Sequence, residues 1–131
     1  MRVVVDTNVL ISGIYWAGTP FKILEHWAHD KFDLLVSKGI LNEYYDIINR
    51  IDPHNKNADH WITLIAENGI LIKDKIVFEV CQDPKDNMFL NCAFIGKAKY
   101  LISGDRDLLK LDPGLFPFKI IKPANFLGLF K

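Results

Sequence analysis

The sequence predicts an α/β protein with a three-layer α/β/α arrangement, in which helices cover both faces of a parallel sheet of about five strands. Three observations carry that expectation. Val3-Val4-Val5 is an unbroken β-branched run, the pattern of a strand buried on both faces. Short apolar runs of this kind alternate along the chain with longer segments of helical spacing. The boundaries carry capping or breaking residues: Thr19-Pro20, Asp52-Pro53, Asn68-Gly69 and Asp83-Pro84. No repeat, low-complexity tract or linker interrupts the alternation, so residues 1–131 read as one domain.

The elements follow in order. After the strand Val3–Val5, Asp6 interrupts the apolar run, and Thr7–Trp16 reads as an apolar stretch and loop. Thr19-Pro20 opens a helix to about His29, with Ile23, Leu24 and Trp27 on its inner face. Phe32–Val36 is the second strand. Ser37 caps a helix from about Gly39 to Arg50, ended by Asp52-Pro53. A further helix spans roughly Asn57 to Glu67, and Ile70–Ile72 is a short strand. Asp83-Pro84 starts a helix to about Gly96, Tyr100–Ile102 and Phe118–Ile121 are the last strands, and Pro123 opens a closing helical turn.

Half of the residues are hydrophobic, enough for a core that buries roughly two-thirds of the unfolded surface. Sixteen basic residues balance sixteen acidic ones, so no overall positive field draws in a polyanion. A phosphate-bearing substrate then needs a local basic patch or bound cations. Cys81 and Cys92 lack metal-ligand spacing and read as reduced thiols. With no signal peptide and no bilayer-length apolar run, a cytoplasmic setting is expected, with no membrane partner. His26 and His29 share a helix face but have no further ligands, which leaves them as solvated side chains.

Four acids invite a common explanation. Asp6 lies between two apolar runs at a strand's carboxyl end, where ligands gather in open α/β sheets. Glu43 falls three after Ile40 and four before Ile47, on the inward stripe of its helix. Asp86 shares a face with Phe89, Leu90 and Ala93, and Asp83 is placed to cap that helix in its stead. Asp105 follows a strand through Ser103-Gly104, as Asp6 follows the first. Each also has a local role as a cap or turn residue. Together they form a set of like charges that can ionise at close range only with cations present. An all-oxygen donor set suits Mg²⁺ or Mn²⁺ rather than zinc.

The ordered set Val4-Val5-Asp6-Thr7-Asn8-Val9-Leu10, Ile40-Leu41-Asn42-Glu43-Tyr44, Asp83-Pro84-Lys85-Asp86-Asn87 and Tyr100-Leu101-Ile102-Ser103-Gly104-Asp105-Arg106-Asp107-Leu108 resembles the PIN-domain family. The resemblance runs from Arg2 to about Phe126. It implies a metal-dependent ribonuclease with Asp6, Glu43, Asp86 and Asp105 as its catalytic carboxylates. Of these, Asp6, Asp86 and Asp105 would hold the Mg²⁺ or Mn²⁺. It also implies kinship with VapC-type toxins, which act as homodimers and are silenced by a cognate antitoxin. Asn8, Ser103 and Asp107, with Thr7 and Asn87, are the supporting polar residues around the cluster.

Rival readings remain at this stage. A haloacid-dehalogenase-type phosphatase would use Asp6 as nucleophile, but it needs an acid where Asn8 stands. A PIN-like scaffold would bind RNA or a partner without cutting. Arg106, Lys97, Lys99 and Lys110 offer a modest phosphate-binding rim or ordinary surface charge. Tyr15 and Trp16 are expected in the core rather than stacked on bases. The apolar end Phe126-Leu127-Leu129-Phe130 is expected to dock on its own domain or on a second copy.

Overall fold

The computed structural model describes residues 1–54 and 56–130. Five strands, β1 (Arg2–Val5), β2 (Asp33–Ser37), β3 (Ile70–Ile72), β4 (Tyr100–Ile102) and β5 (Lys119–Ile121), form one sheet in the order β3-β2-β1-β4-β5. Every neighbouring pair is parallel. The helices are α1 (Thr7–Tyr15), α2 (Thr19–Ala28), α3 (Lys38–Ile51), α4 (Lys56–Asn68), α5 (Asn87–Ile95), α6 (Arg106–Leu109) and α7 (Pro123–Gly128). They flank the sheet, giving the three-layer arrangement that the alternating pattern predicts.

The central strand β1 is flanked on both edges, so Val3, Val4 and Val5 lie fully inside. Leu34–Val36 on β2 and Leu101-Ile102 on β4 join the same core, which α5 covers by packing against β1, β2 and β4. A smaller cluster of Ile11, Ile48 and Ala58 ties α1 to α3 and α4. Phe126 of α7 is fully buried and meets Phe32 edge-on at 5.2 Å between ring centres. Phe130 closes over it, 4.9 Å from the His26 ring. The apolar carboxyl end therefore docks on its own domain. No described helix is long and apolar enough to cross a membrane.

Three local departures from the sequence reading have physical causes. Thr7–Tyr15 is a helix rather than a stretch and loop. Thr7, Val9, Leu10, Ile11 and Gly13 are all buried, so α1 shows little of the amphipathic period that marks a surface helix. The segment after Asp83 first makes a 3-10 turn, Pro84–Asp86, before α5 begins. Trp16, expected inside, is 63 % exposed. It follows the last residue of α1 in extended conformation and points away with the loop, while Tyr15 packs against the α1–α3–α4 cluster.

Candidate active site: four carboxylates at the carboxyl edge of the sheet

β1 ends at Val5, and the Asp6 N–H still donates to Ile102 O at 3.0 Å, which extends the β1–β4 ladder by one bond. The chain then turns directly into α1 with Asp6 as its cap. One carboxylate oxygen, Oδ1, accepts the Val9 N–H at 2.9 Å; the other, Oδ2, accepts the Ser103 hydroxyl. Asp6 is therefore both a helix cap and a buried acid, at 4 % exposure. Burial raises its pKa above the usual carboxylate value. The bonds from Ser103 and Val9 oppose that rise, while the charges of Asp105 and Glu43 add to it.

Ser103 has no exposed surface and links the two strand ends. Its N–H donates to Ile121 O at 2.9 Å, and its hydroxyl, while donating to Asp6, accepts the Asp105 N–H at 3.0 Å. Asp105 caps α6 through Oδ1, which accepts the Asp107 N–H at 2.9 Å. One hydroxyl thus sets the spacing of both strand-end acids.

The other two acids arrive on helices. Glu43 is half-buried on α3, and the Thr7 hydroxyl donates to its Oε2 at 2.8 Å. The neighbouring Tyr44, fully buried, donates its phenol to Val5 O and so pins α3 against the end of β1. Burial, then the charge of Asp6, push that phenol well above its ordinary pKa, so it stays a donor. Sequence reasoning took Tyr44 for part of the apolar stripe. Its place at i+4 between Ile40 and Ile48 was the only signal, and a phenol in such a stripe needs a partner.

Asp86 closes the 3-10 turn and makes no capping bond. Asp83 does the capping, accepting the Lys85 N–H at 3.0 Å. Partial burial raises Asp86 to about 6, followed by the charges of Asp105, Asp83, Glu43 and Asp6. The Cys81 thiol is pushed to about 11, again chiefly by burial and then by the charges of Asp86, Asp105, Asp83 and Asp107.

Asp6, Glu43, Asp86 and Asp105 border one cleft of about 110 Å³, with Thr7, Asn8, Ile47 and Phe89 as its remaining walls. The supporting residues divide. Thr7, Asn8 and Ser103 belong to the cleft or hold its acids. Asp107 is exposed, pairs with Lys110 at 3.1 Å and lies outside the cleft. Asn87 faces the other way and accepts the Cys81 N–H at 3.0 Å. Of the basic residues, Lys97 and Lys99 precede β4 and so lie at the opposite, amino edge of the sheet. Lys110 is taken by Asp107, while Arg106, next to Asp105, lines the adjoining groove.

The donor set fits a hard divalent cation. It offers carboxylate oxygens from four elements, and among the described residues no lysine or arginine pairs with any of the four. Among the described residues no three acidic, histidine or cysteine side chains close into a ready cage. An open site of this kind suits Mg²⁺, which keeps several waters rather than taking an all-protein cage.

The PIN-domain family model matches residues 2–107. An uncharacterized protein of Methanocaldococcus jannaschii is 32 % identical over 117 residues, covering 85 % of this chain and 75 % of that one. Among solved structures, VapBC2 from Rickettsia felis bound to a DNA fragment from their promoter contains a similar chain, with a TM-score of 0.63 at 13 % identity. That match covers 93 % of this chain and 98 % of the other. An ordered acid set read from the sequence, a family model spanning most of the chain and a shared fold agree: the chain belongs to the PIN-domain family.

Proposed function

We propose that this protein is a Mg²⁺- or Mn²⁺-dependent endoribonuclease and the toxin of a toxin–antitoxin pair, acting in the cytoplasm as a homodimer. The observation that carries the reading is the convergence of Asp6, Glu43, Asp86 and Asp105 on one cleft without a basic partner among the described residues. PIN domains are generally nucleases, and the fold shared with a chain of VapBC2 supports the toxin assignment.

Asp6, Asp86 and Asp105 would hold the cation. When bound, it supplies Lewis-acid charge to a phosphoryl oxygen and lowers the pKa of water. The protein's own part is placement. Ser103 and Val9 fix the rotamer of Asp6, and Thr7 fixes Glu43. Glu43 accepts that bond at Oε2, which leaves Oε1 to orient an attacking water and take its proton. Phe89 and Ile47 exclude bulk water from one side of the cleft.

The test is incubation with total RNA in Mg²⁺, in Mn²⁺ and in chelator, with the cut ends mapped. Cleavage only with a divalent ion, lost in Asp105→Asn, is expected. Uncut RNA bound equally with and without the ion would instead indicate a scaffold. Turnover of small phosphomonoesters with RNA intact would indicate a phosphatase.

A further inference from the structure

A second, larger groove of about 630 Å³ adjoins the carboxylate cleft, and Asn8 and Asp105 line both. Its floor follows one stripe of α1, with Asn8 and Ser12 one turn apart. Arg106 stands on its far wall. This side chain is exposed and has no carboxylate partner among the described residues, since its neighbour Asp107 is paired with Lys110. Trp16 lies just past the Ser12 end of the groove, outside its lining, in the extended residue that ends α1; its backbone N–H donates to Ser12 O at 3.0 Å. It is the most exposed aromatic side chain among the described residues, at 63 %. An indole normally buries most of its area. From Asn8 to Trp16 is about 12 Å along the helix axis, too far for the nucleotide being cut and within reach of a flanking one.

We infer that this groove and the exposed indole just past its Ser12 end form a subsite for single-stranded RNA, in which Arg106 takes a backbone phosphate and Trp16 stacks a base flanking the scissile nucleotide. The inference rests on the ribonuclease reading for its substrate. Its chemistry is that of single-strand grooves, where a cation tracks the backbone and an aromatic face receives an unpaired base. A duplex keeps its bases stacked on each other and cannot present one to Trp16. The subsite also accounts for a neutral chain handling a polyanion, because one free arginine beside the cation-binding acids supplies the local charge.

The experiment is equilibrium binding of a short oligouridine to the Asp6→Asn protein in Mg²⁺, followed by tryptophan emission. The single strand should quench the emission, and a duplex of the same length should not. Adding Trp16→Leu should remove the quench and weaken binding about fivefold to a hundredfold. Trp16→Phe should recover most of the affinity. A strand with abasic positions should bind equally well whether or not Trp16→Leu is present. Arg106→Gln should flatten the dependence of log Kd on log salt by about 0.7. Because Trp16 is exposed, Trp16→Leu should melt with the parent, so lost affinity is not lost folding. Equal affinity and equal quenching in the parent and Trp16→Leu proteins would overturn the subsite, as would duplex binding as tight as single-strand binding. The two readings fail separately. RNA cleavage that is indifferent to Trp16 removes the subsite alone, and Trp16-dependent binding by a chain that never cuts removes the nuclease alone.

Discussion

Asp6 and Asp86 bring the same functional group to the same cleft by opposite means. Asp6 is delivered by the central strand of the sheet, is nearly sealed from solvent, and has both oxygens engaged by protein donors. Asp86 comes at the end of a strap, residues 73–83, that has no regular secondary structure, and its own carboxylate caps nothing. Side-chain amides and one acid hold the strap in place of a ladder. Asn91 Oδ1 accepts the N–H groups of Val77 at 3.0 Å and Phe78 at 2.7 Å, Asn87 takes Cys81, and Asp74 Oδ2 accepts Gly39 N–H at 3.1 Å. One acid is thus fixed by the fold itself and the other by a few replaceable contacts. The first should be intolerant of change, and the second adjustable.

The largest expected effect is at the fixed end. Ser103→Ala leaves the fully buried side of Asp6 without its donor and frees Asp105 N–H. It should lower metal affinity or cleavage by about ten- to a hundredfold. It should also cost about 1–3 kcal/mol of stability in a denaturant melt. Near-parent values for both would show that the hydroxyl is incidental.

At the adjustable end the sign reverses. In chelator, Asp86 is held at about 6 by burial and by Asp105, Asp83, Glu43 and Asp6. Its folded pKa lies above its unfolded value of 3.8. The folded state therefore binds the proton more tightly. The penalty is absent below pH 3.8, accumulates as the pH rises to about 6, and is constant above it. Asp6, also raised, adds in the same direction. Asp86→Asn removes charge without removing a cap, so at pH 7 to 8 in chelator it should melt above the parent and lose the slope between about pH 4 and 6. Mg²⁺ should raise the melting point of the parent more than that of the variant. A lower melting point for Asp86→Asn, with no Mg²⁺ response in the parent, would leave the four acids as separate local features.

A smaller effect is expected where the strap is anchored. Asn91→Ala removes one acceptor serving two N–H groups, and the strap should exchange its Val77 and Phe78 amide hydrogens faster while β1 amides keep their protection. Uniform loss of protection would mean that the strap and sheet open together. Smallest of all is Lys110→Ala, which breaks an exposed pair with Asp107 and should change stability by no more than about 1 kcal/mol.

What the sequence made legible follows the same division. β1, β2 and β4 were readable because a strand buried on two faces must be apolar throughout, while the partly exposed edge strands β3 and β5 were readable as short apolar runs; Asp6 and Asp105 were readable as acids at the carboxyl ends of such runs. Glu43 was readable from its position on the inner stripe of α3. The role of α1 was hidden because a helix packed against α2, α3 and α4 is apolar nearly all round, and the narrow Asn8–Ser12 stripe is too short to show a period. The strap's anchoring was hidden because Asn91 sits in an apolar helix and its partners lie 13 and 14 residues upstream. The double duty of Ser103, donor to one acid and acceptor for the other's backbone, depends on tertiary proximity that no local pattern encodes.

The separation between Asp6 and Ser103, 97 residues, also has a consequence in time. β1 is made first, yet it waits for β4 before its carboxyl end has a partner, and a contact so distant in sequence forms late. At ribosomal speeds that interval is roughly 5–20 s. During it the nascent chain carries Asp6 and Glu43 but neither the serine nor the acid that complete the cleft. On the nuclease reading, a chain that cuts RNA is thereby harmless to the message it is being read from until Ser103 and Asp105 have been made.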